Sequence, residues 1–362
     1  MATIFSYTQF PETVYTGFAV RRLPPSVQTL YADLVQKVSP DAPVPGSISI
    51  RMVHNVERYY STERHGAKRI QRYLGPVHDP AIVAMAEAIR REEAIAKQRR
   101  KNITMLKSAG VQGPSQEVGR ILEVMSRADL FERGMVLVGT IAFQTYPILL
   151  GYDLSASGMM TQDVDFVAAN VRVSIGGRAN ADAEEPGDRT APKSLDMLTL
   201  LKRADDSFVG VPNLGRKTYP NKFTATNGLD VELLTPVRKR DEDNPVALPA
   251  WGASAVPLHY LEYLVQDAMP AVALHGAGVP ILVPQPARYA VHKLIVAQLR
   301  DAHSGKAGKD RVQAKALMDV LDESDPDTVA DALDDAISRG LAWRKHVNAG
   351  LRQIGRNARV DG

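Results

Sequence analysis

The chain has 362 residues, of which 44% are apolar and 23% charged, and its formal net charge is +3. This composition is typical of a globular protein with a sizeable core, and the length predicts two or three domains. The absence of cysteine excludes disulfides, thiolate zinc sites and cysteine nucleophiles. No apolar run reaches the length of a membrane helix and no signal-like pattern opens the sequence, so we expect a cytoplasmic protein that contacts no membrane.

The charge is unevenly distributed along the chain. Between Arg51 and Lys101, twelve Lys and Arg residues stand against six Asp and Glu residues. A local basic excess is typical of a surface that meets an anionic partner. We expect an α+β protein in three parts, with an N-terminal arm, basic hairpin and long helix in residues 1–110, a central sheet in 111–250, and a mostly helical domain in 251–362.

The basic excess begins in a predicted hairpin. Two strand-like stretches, Val56–Thr62 and Lys68–Leu74, flank a turn at His65-Gly66. Four basic residues here, Arg64, Lys68, Arg69 and Arg72, are interleaved with Tyr59, Tyr60 and Tyr73. Such interleaving is typical of surfaces that stack bases and pair phosphates of single-stranded nucleic acid. The alternative is a solvated hairpin whose tyrosines pack on the following helix.

Two helices are predicted after this hairpin. The first runs from Pro80 to about Lys107 and is highly charged, which is typical of a solvated helix. The second, from Ser115 to Leu130, has apolar residues at helical spacing. Further along, residues 175–193 are rich in Gly, Ala, Pro and charged residues, and this composition predicts a mobile loop.

The most informative stretch runs from Gly134 to Ala169. An apolar strand, Met135–Val138, leads into Gly139-Thr140, a predicted amphipathic helix, a polar loop, and a second strand that begins Asp163-Val164-Asp165. Carboxylates two residues apart on a strand share one face, and two adjacent negative charges favour a cation such as Mg²⁺ with oxygen ligands. A glycine at a strand-to-helix turn lets backbone amides approach a phosphate closely. The stretch therefore predicts phosphates near Gly139 and Thr140 and a metal on Asp163 and Asp165, whereas a lone Asp-x-Asp would only end a strand.

A third acidic strand follows. Phe223–Thr226 and Leu229–Leu234 are joined at Asn227-Gly228, which is the strongest short hairpin signal. Asp230 and Glu232 share one face of the second strand. With Asp163 and Asp165, one of them would complete a set of acidic residues able to hold two Mg²⁺ or Mn²⁺ ions.

Basic residues are concentrated again near the C-terminal end. An amphipathic helix is predicted from Arg288 to Leu299, and it is followed by a glycine-lysine loop, HSGKAGKD, that ends at Asp310. We expect Arg300, Lys306 and Lys309 either to contact phosphate or acceptor or to lie on a solvated turn. Helices are predicted from about Arg311 onward.

These motifs resemble the nucleotidyltransferase superfamily related to DNA polymerase β. Its core has an apolar residue, Gly, then Gly or Ser, a helix, and Asp-x-Asp or Asp-x-Glu, with a third acid on a later strand. Here Val138-Gly139-Thr140 and Asp163-Val164-Asp165 match, with Thr140 in place of the usual Ser and with a longer gap because Tyr152–Gln162 adds a loop. The resemblance is closest to a little-characterised bacterial branch of predicted nucleotidyltransferases. It covers about residues 26 to 321 through the segments YYSTERHGAKRIQRYLGP, LVGTIAFQTYPILLGY, LDVELLTPVR, PARYAVHKLIVAQLR and GKAGKDRVQAKALMDVL.

The resemblance implies a mixed sheet flanked by helices and a metal-dependent enzyme that transfers a nucleoside monophosphate from an NTP and releases pyrophosphate. The implied metal ligands are Asp163, Asp165 and either Asp230 or Glu232; the family's acid-then-leucine pattern fits Glu232, while the superfamily's usual Asp stands at 230. The implied nucleotide-binding residues are Gly139, Thr140, Lys293 and His292.

The implied acceptor is less defined. The basic hairpin favours RNA, such as a tRNA end, with Arg64, Lys68, Arg69 and Arg72 as nucleic-acid-binding residues. Several members of the wider superfamily are toxins, so a toxin or defence role is a further expectation. Two alternatives stay open: a catalytically inactive nucleic-acid-binding module, and a transferase that modifies a small molecule such as an antibiotic.

Overall fold

The computed structural model describes residues 21–39, 45–65, 68–154, 163–168, 196–212, 219–237, 244–301 and 305–359. The loop predicted at residues 175–193 lies outside these ranges. The described strands are β1 Arg21–Arg22, β2 Ser47–Val53, β3 Val56–His65, β4 Lys68–Pro76, β5 Met135–Val138, β6 Tyr152–Asp153, β7 Asp163–Ala168, β8 Val209–Gly210, β9 Lys222–Thr224, β10 Asp230–Pro236, β11 Val246–Leu248, β12 Ala253–Leu258, β13 Met269–Ala273 and β14 Val279–Val283.

Helices alternate with groups of these strands along the chain. They are α1 Pro25–Lys37, α2 Pro80–Ser108, α3 Gln116–Arg127, α4 Gly139–Phe143, α5 Tyr146–Leu150, α6 Met197–Ala204, α7 Leu261–Val265, α8 Pro286–Leu299, α9 Gly305–Ser324, α10 Pro326–Ser338 and α11 Leu341–Gln353. None of the helices in the described ranges combines the length and the apolar character needed to cross a membrane.

The central sheet is mixed and, in the described part of the chain, has seven strands. β7 and β10 are its parallel centre, and β5 runs antiparallel beside β7. The other edge of β10 is shared, because β9 pairs with its first half and β12 with its second half. The expected α+β fold, a mixed sheet flanked by helices, is confirmed.

The burial of the two central strands explains where the polar chemistry lies. β7 and β10 each begin with alternating half-buried and buried residues and end with residues that are all buried. Acidic side chains therefore lie at the start of both strands, while the apolar remainder joins the core. One cluster of buried apolar side chains extends from Val118 on α3 to Ile354 after α11, so the C-terminal helices share the core of the sheet.

A separate three-stranded antiparallel sheet, in the order β2-β3-β4, lies in the N-terminal part. It confirms the two predicted strands and extends both. His54 and Asn55 join β2 to β3 with φ of 51° and 60°, as a tight hairpin with matching strand twist requires. The sheet packs on α2 through the buried ring of Tyr59 and through Gly75, where an added Cβ would overlap Ile82.

Two local expectations were wrong. Residues 305–310 of the glycine-lysine stretch form the first part of α9, and they are helical because Ala307 and Asp310 are buried there. Such tertiary contacts outweigh the low helix propensity of glycine. The single helix expected after Gly139 is two short helices, α4 and α5. Pro147, at the start of α5, cannot continue an existing helix, because it lacks the N–H that a preceding turn would bind.

Candidate active site

Four carboxylates lie on one face where β7 and β10 begin. The strand register places Asp163 beside Asp230 and Asp165 beside Glu232. The last residue of β5 lies on the other side of Asp165, so the turn at Gly139 follows at the same edge of the sheet. Pairing of three strands thus brings together the two acidic pairs and the turn that sequence motifs had singled out.

Lys222 on β9 neutralises one side of this acidic face. Its Nζ lies 2.7 Å from Oδ2 of Asp230 and 3.0 Å from Oε1 of Glu232. The hydroxyl of Thr224 donates a 2.7 Å hydrogen bond to Oδ1 of Asp230. Burial alone would raise the pKa of Asp230, but these hydrogen bonds outweigh it and hold that pKa below its usual value. Asp230 is therefore a fixed anion with both oxygens engaged.

The pKa of the Asp165 carboxyl group is strongly shifted. Burial raises the pKa of its carboxyl to about 6, and the negative charges of Glu232 and Asp163 contribute to the increase. Lys293 and Lys306 act in the opposite direction but do not cancel it. Like charges held close together in partly dry surroundings favour either a proton or a bound cation. Asp165 is thus the point of the site where a cation would stabilise the protein most.

Gly139 brings the backbone directly against this carboxylate. Its φ is +68°, and an added Cβ would overlap Oδ2 of Asp165. From the other side, the hydroxyl of Tyr289 on α8 donates a 2.9 Å hydrogen bond to the carbonyl of Gly139. The turn therefore requires glycine for two reasons, the left-handed φ and the close approach, and the C-terminal helices hold it in place.

Asp163 and Asp165 open into a cavity of about 450 Å³. Its sheet side includes Gly139, Thr140, Asp163 and Asp165. The helices α8 and α9, with Arg300 between them, supply a basic side of four residues: Lys293, Arg300, Lys306 and Lys309. An apolar wall completes it, formed by Leu234, Leu258, Leu261, Leu264, Val296 and Leu299. An acidic side, a basic side and an apolar wall around one cavity suit a ligand with phosphates and a flat apolar ring system.

Two of the four basic residues are committed to an internal carboxylate. Nζ of Lys293 lies 2.6 Å from Oδ1 of the buried Asp310, and Nε of Arg300 lies 2.5 Å from Oδ2. Lys306 is exposed, with Nζ 4.0 Å from Oδ2 of Asp163. Burial lowers the pKa of Lys309, and the charge of Lys293 lowers it further. Lys306 and Lys309 therefore offer the positive charge that a ligand in the cavity can reach.

His292 lines the same cavity as a neutral side chain. Burial lowers its pKa to about 3, and the neighbouring charge of Lys293 acts in the same direction. Its buried Nε2 has no hydrogen-bond partner among the described residues. At neutral pH this imidazole brings polarity to the cavity but no charge.

The donor chemistry around Asp165 fits a hard divalent cation. Asp163, Asp165 and Glu232 offer carboxylate oxygens, which are ligands that Mg²⁺ and Mn²⁺ prefer. The raised pKa of Asp165 indicates that the nearby lysines do not fully compensate the negative charge at this position. As placed, no three His, Asp or Glu side chains within the described ranges surround a common metal position. Glu232 is paired with Lys222, and as a metal ligand it would have to exchange this lysine for the metal.

The predicted nucleic-acid-binding residues are not gathered on one surface. Arg69 and Arg72 are both exposed on β4 but lie opposite Arg64 and Ser61 respectively, and residues three apart on a strand face opposite sides. The side chains of Arg64 and Lys68 lie outside the described part of the structure.

Sequence reasoning missed Lys222 and Asp310. The Asn227-Gly228 turn sets the register of its hairpin and places Lys222 opposite Glu232. This register follows from the sequence, but the predicted strand began at Phe223, one residue after Lys222. Asp310 lies on the buried face of α9 with Ala307 and Ala314, a spacing that becomes visible only once the helix is extended back to Gly305.

Comparison with known proteins adds a family. A family model described as nucleotidyltransferase matches residues 116–338, more than half of the chain. The chain belongs to this nucleotidyltransferase family. A solved structure with similarity to this nucleotidyltransferase is an antigenic nucleotidyltransferase-like protein from Paracoccidioides brasiliensis, at 16% identity over 65% of this chain and 94% of that one, with a TM-score of 0.31. No curated protein matches the chain.

The matched range separates two parts of this nucleotidyltransferase. It includes all four carboxylates, the Gly139 turn and the basic residues of α8 and α9. It excludes the three-stranded sheet β2-β3-β4 and the helix α2 on which that sheet packs. The candidate active site therefore lies within the matched range, and the N-terminal sheet lies before it.

Proposed function

We propose that this nucleotidyltransferase transfers a nucleoside monophosphate from a nucleoside triphosphate to an acceptor and releases pyrophosphate. The observation that carries the proposal is the single cavity with Asp163 and Asp165 on one side and cationic side chains on the other. Transfer of a nucleotidyl group needs cations that stabilise the charge of the phosphates and fixed groups that orient the nucleophile. Candidates for both roles line this one cavity.

The cofactor that the donor chemistry favours is Mg²⁺, with Mn²⁺ as its substitute. Asp163, Asp165 and Glu232 would hold it. Bound there, a divalent ion neutralises phosphate charge and makes an attacking hydroxyl more acidic. Asp230, with both oxygens engaged by Lys222 and Thr224, is assigned to holding Lys222 rather than to direct ligation.

The side chains of α9 are proposed to bind the triphosphate. Lys306 and Lys309 line the cavity and their charges are available to a ligand. Lys293 and Arg300 are assigned to fixing α9 against α8 through Asp310, with Lys293 still contributing positive potential at Asp165. At Gly139, the lack of a side chain lets a phosphate approach the backbone, and Thr140 offers a hydroxyl beside it.

The apolar wall is proposed to receive the base and the ribose. Its residues are leucines and one valine from β10, β12, α7 and α8. Aliphatic side chains pack against the face of any base and supply no donor or acceptor pattern that distinguishes one base from another. We therefore expect the enzyme to accept more than one NTP.

RNA is the proposed acceptor. The support is the basic excess between Arg51 and Lys101, which lies outside the family region and gives an anionic macromolecule a surface to meet. A toxin or defence role would be one use of such an activity.

One observation favours a second candidate, an inactive nucleic-acid-binding module. Lys222 forms ion pairs with two of the four carboxylates. In a protein that no longer bound metal, such a lysine would stabilise the acidic face in place of the metal. This candidate predicts nucleic-acid binding without any turnover of NTP.

The test uses NTPs labelled at the α-phosphate, Mg²⁺ and total RNA, with RNA separated by gel and small molecules by chromatography. The proposal predicts label in RNA and release of pyrophosphate, both reduced by at least about 10²-fold in Asp163→Asn. Asp331→Asn, which alters an exposed carboxylate on α10, should leave both unchanged. RNA binding without transfer of label from any NTP contradicts the enzyme and supports the inactive module. Label found only on small molecules supports a small-molecule transferase instead.

A further inference from the structure

One face of the N-terminal sheet is both basic and aromatic. The register of β2, β3 and β4 places Ser49, Tyr60 and Tyr73 in one row across the sheet, and Arg51 and Arg58 in the next. Arg69, four residues before Tyr73 on β4, faces the same side. We call these five residues, Arg51, Arg58, Arg69, Tyr60 and Tyr73, the Arg/Tyr face.

The two tyrosines of this face are not used to pack the sheet on α2. That role falls to Tyr59, which is buried and has the guanidinium of Arg90 from α2 5.5 Å from its ring centre. Tyr60, the next residue, points to the opposite side, and Tyr73 is 47% exposed. One hairpin tyrosine therefore packs on the following helix, as one interpretation of the sequence predicted. The other two line the Arg/Tyr face, as the nucleic-acid-binding interpretation predicted.

The tyrosines of this face contact each other and two of its arginines. The rings of Tyr60 and Tyr73 lie 5.5 Å apart and are tilted by 53°. The guanidinium of Arg51 lies 5.5 Å from the centre of the Tyr60 ring, and that of Arg58 lies 5.5 Å from the Tyr73 ring. Contacts of this kind hold aromatic rings and cationic groups side by side at a surface, where a base and its phosphate could meet both.

The charge of the face is of one sign. The acidic residues of the three strands, Glu57 and Glu63, pair with Met52 and Ile70, and this register places them on the opposite side from Tyr60. Among the described strand residues, the remaining neighbours on the Arg/Tyr face are neutral: Ser47, Ser49, Val53, Val56, Thr62, Gln71 and Pro76. The face therefore presents positive charge that no carboxylate of these three strands offsets.

We propose that the Arg/Tyr face binds single-stranded RNA, with bases stacked on Tyr60 and Tyr73 and phosphates paired with Arg51, Arg58 and Arg69. Stacking requires unpaired bases, so a duplex is a poor ligand. The contacts read no base edges, so binding depends little on sequence. Arg72, on the other side of β4, takes no part. The surface lies outside the family region and binds whether or not the cavity catalyses nucleotidyl transfer.

The test measures fluorescence anisotropy of a labelled oligo(U) RNA of about 12 nucleotides, a length within the range of single-strand binding sites, with the full chain. Tyr73→Leu should raise the Kd about tenfold, because it removes the stacking ring and keeps an apolar side chain, and Tyr73→Phe should restore binding. Arg69→Gln should weaken binding and reduce the slope of log Kd against log salt concentration by about 0.7. Arg72→Gln is the matched control, since it removes the same charge from the same strand on the opposite side.

The outcomes separate this surface from the active site. Binding that is intact in Asp163→Asn, about tenfold weaker in Tyr73→Leu and unchanged in Arg72→Gln supports the proposal, even if no NTP is turned over. Equal losses in Arg69→Gln and Arg72→Gln would show a diffuse charge effect and overturn it. Duplex RNA bound as tightly as the single strand, or no RNA binding by a chain whose circular dichroism is native, would also overturn it. A single-stranded DNA of the same length tests whether the ribose hydroxyl contributes, and binding of DNA alone contradicts the assignment to RNA.

Discussion

Gly139 and Asp165 are so close that a methyl group on Gly139 would overlap Oδ2 of the carboxylate. The contact joins the end of one strand to the face of its neighbour. It means that a ligand bound to Asp165 also lies beside the exposed backbone of the turn. The acidic pair and the glycine are therefore one structural unit.

Gly139→Ala tests this unit. We expect it to lower activity by at least about tenfold and to destabilise the fold by about 1–2 kcal/mol, since a non-glycine residue at positive φ is strained and the methyl group displaces Asp165. Gly276→Ala is the control, because Gly276 has φ of +56° but open space where its Cβ would be. Thermal melts and initial rates check both variants, and an equal loss of activity in the two would show that backbone strain alone is responsible.

The pKa of Asp165 predicts how stability depends on pH. It is about 6 in the folded protein against 3.8 as the ordinary value, so between these values the folded state binds a proton that the unfolded state releases. The contribution of this group to the free energy of unfolding is thus largest at low pH and is lost as pH rises through about 6, a change of at most about 3 kcal/mol. Asp165→Asn should therefore raise the melting temperature at pH 8 by a few degrees, by roughly half as much at pH 5, and by little below pH 4. A lower melting temperature of the variant at pH 8, measured by calorimetry, would contradict the raised pKa.

The two acids of β10 should differ in importance. Glu232→Gln removes a proposed metal ligand and is expected to reduce kcat/KM by about 10²-fold or more. Asp230→Asn keeps the shape of a residue assigned to holding Lys222 and Thr224 and should cost about tenfold or less. Steady-state kinetics of the two variants decide between them, and the reverse ranking would make Asp230 the ligand.

Lys222→Met should strengthen binding of a divalent ion. The lysine competes for Glu232 at 3.0 Å, and removal of a positive charge so near a ligand favours the cation by about 1 kcal/mol or more, which is about fivefold or more in affinity. Calorimetric titration with Mn²⁺ measures the effect, and Lys345→Met, at an exposed position on α11, is the control. Weaker binding in Lys222→Met would mean that the lysine positions Glu232 rather than competing for it.

The sequence predicted those parts of the site that depend on local pattern. Apolar β5, the alternating start of β7 and the Asn227-Gly228 hairpin each follow from neighbouring residues, and together they imply an acidic face beside Gly139. Partners from distant segments were not predictable in this way. The extension of α9 back to Gly305 depends on Asp310 meeting Lys293 and Arg300, a contact that becomes visible only when two helices are packed.

The N-terminal sheet shows the same limit. The interleaving of basic residues and tyrosines was visible in sequence, but the side on which each residue lies was not. An irregularity between Tyr59 and Tyr60 shifts the pairing of β3 with β4. It pairs Tyr60 with Tyr73 instead of Leu74, whereas the separation of Tyr59 from Tyr60 and of Arg69 from Arg72 follows from alternation along each strand. A shift of one residue in a strand reverses the side of every later side chain.

The most direct test of the central claim is Mn²⁺ bound to the protein, measured by electron paramagnetic resonance with and without a non-hydrolysable NTP. Bound Mn²⁺ should increase when the nucleotide is present, be lost in the Asp163→Asn, Asp165→Asn double variant, and be retained in Asp331→Asn. Equal Mn²⁺ binding by the wild type and the double variant, with or without nucleotide, would contradict it.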